Sequence, residues 1–220
     1  MRYHVCSRLH PGRTLVANAS AELMETSRVV TRLDAALQGT AKISDIRWWT
    51  LVASATVERY RRHLSDIYGF EAAFEAAIAY TPGLVQVMGH KPVTRAGLVA
   101  TDLLNLGMTP HEIANLPQSA IAPFHDPAIA LGWWYVVDKS TRTFSDWYER
   151  LAIQMPGCDA FAYLSSMRDA DDHWVQLGQL LDRIATTAEV EAAVTQGVHQ
   201  AVQAERTWYR RTHPIRALVG

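Results

Sequence analysis

The chain is predicted to be all-α, a single-domain helical bundle. Apolar residues recur at spacings of three and four along almost its whole length, alternating Val/Ile/Thr runs bounded by Asn-Gly or Asp-Gly turns are missing, and helix-capping residues precede several periodic stretches. With 220 residues, 49% of them hydrophobic and 20% charged, the chain can build one substantial core. The expected division is an N-terminal extension over 1–19, a helical domain over 20–212 and a tail over 213–220.

A first helix is expected from about Ser20 to Gln38, with Leu23, Val30, Leu33 and Leu37 on its core stripe and Gly39 as its stop. Ser44 is positioned to cap a long helical stretch reaching about Tyr80, in which Ile46, Trp49, Val57, Tyr60, Leu64, Ile67 and Phe74 face inward and Gly69 marks a bend. Pro82-Gly83 and Pro92 then break the pattern. Thr94 opens a helix that runs through Leu106 and stops at Gly107.

Thr109-Pro110-His111-Glu112 combines a capping box with proline at the first helical position, so a short helix should run from there towards Pro117. Asp126-Pro127 repeats the device and opens a helix through Trp133, Trp134 and Tyr135 to about Gln154, before Pro156-Gly157. Two helices close the domain, from about Asp169 to Thr186 and from Thr187 to Arg211, the second with a capping box of Thr186 and Glu189. Asp169, Asp171, Asp172 and His173 read as a charged helix start, favoured by the helix dipole. In the adjacent pairs Trp48-Trp49 and Trp133-Trp134, neighbours lie about 100° apart on a helix, so one member of each is expected in the core and the other at a groove or interface.

Composition narrows the function classes. A net charge of -1 and a pI near 6.8 lack the basic footprint of nucleic-acid binding. Cys6 and Cys158 stand far apart without CxxC spacing, which argues against a zinc knuckle or a disulfide framework. The N-terminus has no apolar signal region, and no apolar run has the length of a membrane span, so a cytoplasmic protein is expected. His111 stands in HEIAN, without the second histidine of a zinc-protease motif. Ser140 and Thr141 have no nucleophile elbow around them.

Several phrases, in order and at matching separations, resemble the bacterial heme oxygenases that supply biliverdin to bacteriophytochromes. They are Tyr68-Gly69-Phe70 with Phe74-Glu75, the set Leu98, Asp102, Leu103, Leu106 and Gly107, and the run from Leu131 to Thr141. The resemblance covers about residues 23–210 and implies the heme-oxygenase fold. It also exposes two departures. The family holds iron through a first-helix histidine preceded by threonine four residues earlier and followed by leucine and an acid. Here Thr26, Leu33 and Asp34 match, but the ligand position is Val30, which has no lone pair to offer iron. His10 lies twenty positions upstream, roughly 30 Å along a continuous helix. On the opposite wall, the family's distal helix carries a glycine pair that lets backbone approach the porphyrin; here the segment reads Arg142, Thr143 and Phe144.

The reading that results is a heme-oxygenase-like protein without heme binding or cleavage, acting as a ligand-binding or protein-interaction module. Catalytic residues and a metal site are not expected. The pocket candidates are Val30, Ser140, Thr143 and Phe144, and the expected partners are an apolar small molecule or a protein, with a homodimer conceivable. One alternative is an active heme oxygenase with heme as cofactor and unusual iron ligation, which a histidine reaching the pocket from elsewhere would favour. A second is a metal-dependent oxidase of the same fold, using Glu58, His63, Asp66, Glu71 and Glu75. Glu58 and His63 are five positions apart and so do not share a helix face.

Overall fold

The computed structural model describes residues 27–38, 43–90, 94–166 and 170–212. The proposed extension and tail, with Cys6, His10, Leu23 and Thr26, lie outside them. Among the described residues there are eleven helices and no strand: α1 (Arg28–Ala36), α2 (Ile43–Val52), α3 (Val57–Ala79), α4 (Leu84–Met88), α5 (Ala96–Asn105), α6 (Pro110–Ala114), α7 (Pro127–Thr141), α8 (Phe144–Gln154), α9 (Ala162–Ser165), α10 (Ala170–Ile184) and α11 (Ala188–Thr212).

The core has two parts joined by α3. The first half of that helix contributes Tyr60, Leu64 and Ile67 to a cluster with residues of α2, α5, α8 and α9. Its second half contributes Phe70, Phe74, Ala77 and Ile78 to a cluster built around α7 with α1, α10 and α11. The most extensive helix contact is between α7 and α11. A Cβ on Gly132 of α7 would sit 2.1 Å from the carbonyl oxygen of Val194, and one on Gly197 of α11 would sit 2.1 Å from that of Ile129. Two glycines therefore let the backbones touch, and ten consecutive residues of α7, Ala128 to Val137, are buried.

Several local expectations are met in detail. Thr109 and Glu112 form the reciprocal capping box with Pro110 in the first turn. Asp126 caps α7 through a 2.8 Å bond from the Ala128 amide, and Gly107 turns the chain with φ +86. Others need correction. Among the described residues the first helix starts at Arg28, because Ser27 is extended and its Oγ accepts from the Val30 amide; the expected start at Ser20 lies outside them. The long stretch from Ser44 to Tyr80 is two helices, since Thr56, also extended, caps α3 through the Arg59 amide.

Gly69 is not a bend. The helix runs through it, and its missing side chain makes room for the Pro117 carbonyl and the Trp208 ring, each closer than 3 Å to where a Cβ would stand. Ile46 and Trp49 are exposed rather than inward, because α2 buries the face carrying Trp48, Leu51 and Val52, and Val57 is exposed as the first residue of α3. Trp48 and Trp49 thus divide as expected. Trp133 and Trp134 divide too, although both are buried: Trp133 packs against Phe74 and Phe124, while Trp134 borders a cleft between α7 and α10. Thr187, not Thr186, stands before α11, its Oγ1 accepting from Val190. Two short helices, α4 and α9, fall where no helix was expected; α4 is bounded by Gly83 and Gly89, both at positive φ.

The expected helix from Pro127 to Gln154 breaks at Arg142 and Thr143, giving α7 and α8. No glycine is needed, because Thr143 takes a bridge-region conformation, φ -98 and ψ 3, that any residue can adopt. Phe144 then turns inward as the first residue of α8.

Gly132→Ala and Gly197→Ala are each expected to destabilise the protein by about 3 kcal/mol or more, the top of the overpacking range, because the added methyl meets backbone that cannot rotate away. Urea unfolding checks this; Gly97→Ala, at a helical glycine with open space around it, is the control expected to stay neutral or gain stability.

Candidate functional site

A cleft of about 300 Å³ opens between α7 and α10, closed at its ends by residues near α4, α5 and α9. Helix α7 presents Trp134, Asp138 and Thr141, which the i, i+4, i+7 spacing puts on one face. Helix α10 presents His173, Leu177, Leu180 and Arg183, again a single stripe. Met88 and Leu98 add to the apolar lining, while His90, Arg95 and Ser166 bring polar groups.

Arg95, only 4% exposed, anchors the inner wall. Its Nη1 donates to Asp138 Oδ1 at 2.9 Å, and its Nε lies 3.7 Å from Glu71 Oε2, a contact of charges without a hydrogen bond. Burial by itself disfavours the charged guanidinium, but Glu71 and Asp138 outweigh it and hold the proton more firmly than usual. Tyr163 donates to Glu71 Oε1 at 3.1 Å; burial first, then Glu71, pushes this phenol well above its ordinary pKa. Glu75 accepts from the backbone amides of Arg95 and Ala96, so a side chain of α3 caps α5. Asp102 accepts from the amides of Ala162 and Tyr163 at 2.7 and 2.9 Å and so fixes α9 on α5. The network joins α3, α5, α7 and α9 beneath the cleft.

The four pocket candidates from the sequence are not brought together. Val30 is 4% exposed and belongs to the cluster around α7, with its Cγ2 3.6 Å from the Cβ position of Gly178 on α10. Phe144, 2% exposed, belongs to the other cluster, against Tyr163 at 5.0 Å and Trp48 at 5.7 Å between ring centres. Ser140 Oγ donates to the Val137 carbonyl, and Thr143 Oγ1 accepts from Trp147 Nε1 at 3.0 Å. None of the four lines the cleft. Between the first helix and α7, Asp34 accepts from both Tyr135 Oη and Lys139 Nζ, tying the two helices through side chains.

The acidic residues weighed for a metal-dependent oxidase have other partners. Glu58 pairs with Arg61 and Arg62 at the surface, Asp66 with Arg47, and Glu71 and Glu75 serve the network around Arg95. Among the described residues, no three His, Cys, Asp or Glu side chains converge as metal ligands would. The same residues contain no helix long and apolar enough to cross a membrane.

Sequence reasoning missed the cleft. Trp134 and Asp138 were legible as an i, i+4 pair on one helix, and His173 as part of a charged start. The missing information was which face of α10 meets them and that Arg95, forty-three residues before Asp138, lies between the two helices.

No family model and no curated protein matches the sequence. Among solved structures, the chain is similar to the heme oxygenase of Neisseria meningitidis, determined with NO and CO bound. Identity is 20% and the TM-score 0.64, over 87% of this chain and 94% of that one. The fold is therefore all-α and heme-oxygenase-like, as the sequence resemblance implied.

Phe144→Ala is expected to cost about 3–5 kcal/mol in unfolding free energy, because it empties a packed aromatic site, without enlarging the cleft. Urea titration measures the first and a crystal structure of the variant the second. Glu75 also gives a pH signature. Burial raises its pKa above 4.5, although the Arg95 and Ala96 amides pull the other way. Because the folded value is above the unfolded one, the contribution favouring the folded state is complete at low pH and is lost as pH rises through the folded value. Glu75→Gln, which keeps an acceptor for α5, should flatten the decline in stability above pH 4.5; unfolding midpoints at several pH values would show no flattening if Glu75 were not its source.

Proposed function

We propose that this protein is a small-molecule-binding member of the heme-oxygenase fold that does not cleave heme, with the α7–α10 cleft as its binding site. The observation that carries this reading is the pairing of an accessible, mostly apolar cleft with a first helix whose iron position is a packed valine. The cleft's volume of about 300 Å³ lies at the small end of the range for small-molecule sites.

Heme does not fit the residues where the family resemblance would place it. Val30 supplies no electron pair and is packed against α10, and the link from Asp34 to Tyr135 and Lys139 spans the gap between first and distal helices. A porphyrin there would have to break that link and expel buried apolar side chains. Trp134, Leu177 and Leu180 instead supply an apolar surface for a smaller ligand, with Arg95, Asp138 and Arg183 available to orient it.

A second reading, heme cleavage with unusual iron ligation, is favoured by one observation: His90 and His173 both line the cleft. Neutral imidazole is a competent axial ligand.

Hemin titration of the purified protein separates the two. The expected result is no saturable, sharp Soret band. A stoichiometric band that decays to a biliverdin spectrum with reductant under air would overturn the proposal, and loss of that band in His173→Ala but not His90→Ala would identify the iron ligand.

A further inference from the structure

The cleft wall carries charges of opposite sign that do not neutralise each other. Asp138 stands one turn after Trp134 on α7, so the carboxylate and the indole share a face. One of its oxygens accepts from Arg95, and the side chain keeps 13% of its surface exposed where it lines the cleft. Arg95 also faces Glu71, so two carboxylates meet one guanidinium and the inner wall holds an excess of negative charge. Arg183 on α10 has the reverse situation. It is exposed, donates one long bond of 3.4 Å to the Val87 carbonyl, and pairs with no carboxylate among the described residues. Trp134, Leu177 and Leu180 form the apolar part of the same lining.

Resting on the small-molecule reading above, we infer that the cleft takes a zwitterionic amino acid with an apolar or aromatic side chain. Its ammonium group is received by Asp138 beside the Trp134 face, its carboxylate by Arg183, and its side chain by Leu177 and Leu180. A carboxylate and an aromatic face together suit a desolvated ammonium group. The planar guanidinium suits a carboxylate in the same way. A ligand with only one charge leaves unmatched either the surplus negative charge of Asp138 and Glu71 around Arg95 or the charge of Arg183, and a neutral one leaves both. The small volume favours a ligand of amino-acid size over a tetrapyrrole.

Four probes with one phenyl body test the assignment by calorimetric titration of the full-length protein: L-phenylalanine, phenethylamine, 3-phenylpropionate and 2-phenylethanol. L-phenylalanine should bind saturably, with each singly charged probe at least about tenfold weaker, the loss of one charge-assisted hydrogen bond. Arg183→Gln, at an exposed position, should reduce L-phenylalanine to the affinity of phenethylamine while leaving phenethylamine unchanged. Asp138→Asn should reduce it to that of 3-phenylpropionate; circular dichroism shows whether this variant, which alters the Arg95 network, keeps the fold. Equal affinity for all four probes, or an Arg183→Gln protein that binds L-phenylalanine like the parent, overturns the inference. If 2-phenylethanol binds saturably and L-phenylalanine does not, the zwitterion assignment falls and the small-molecule reading stands; if none of the four binds, both fall.

Discussion

The larger of the two core clusters is arranged around the contact of α7 with α11. At Gly132 and Gly197 each backbone occupies the space that the other's Cβ would need, so the two helices lie closer than side chains would allow. That closeness turns α7 into a central helix. With ten successive residues buried it has no solvent face over that stretch, and its aromatic residues find partners on all sides: Trp133 with Phe74 and Phe124, Tyr135 with Trp174. The cleft borders α7 at Trp134, Asp138 and Thr141, and α10 forms its other wall.

Beneath the cleft lies a buried ionic network, an unusual use of interior space because charges lose hydration there. Arg95 is retained by two carboxylates, while Glu75 and Asp102 satisfy the amides at the starts of α5 and α9. The starts of α5 and α9 are thus capped by carboxylates reaching from neighbouring elements, while Val99, Leu103, Tyr163 and Leu164 bury their apolar sides. An apolar replacement of Arg95 would leave Glu71 and Asp138 without their shared guanidinium, so the three charges are expected to act together rather than as separate pairs.

The likeness to a heme oxygenase, at 20% identity, extends to the fold. The break between α7 and α8 falls at Arg142 and Thr143 without glycine, since a bridge-region residue turns the chain as well as glycine does. What glycine would have added is close approach of backbone, and here Phe144 occupies the position and buries its ring against Trp48 and Tyr163. The break therefore serves packing. Polar groups that border the cleft include Asp138, Arg95 and those of α10.

Sequence by itself determined the all-α class, the capped starts at Thr109 and Asp126, the stop at Gly107 and the inward face of α3, because these depend on hydrogen bonds and periodicity within a few residues. It also carried enough ordered phrases to imply the fold. It misplaced the exposed side of α2 and the role of Gly69, since each depends on which neighbours a helix has, which its own pattern does not encode. The separation of Val30 from Phe144 and the meeting of Trp134, Asp138, Arg95 and Arg183 around one cleft were decided only by tertiary structure. A helix pattern specifies which residues share a face; the packing angle and close approach of other helices specify what that face encloses.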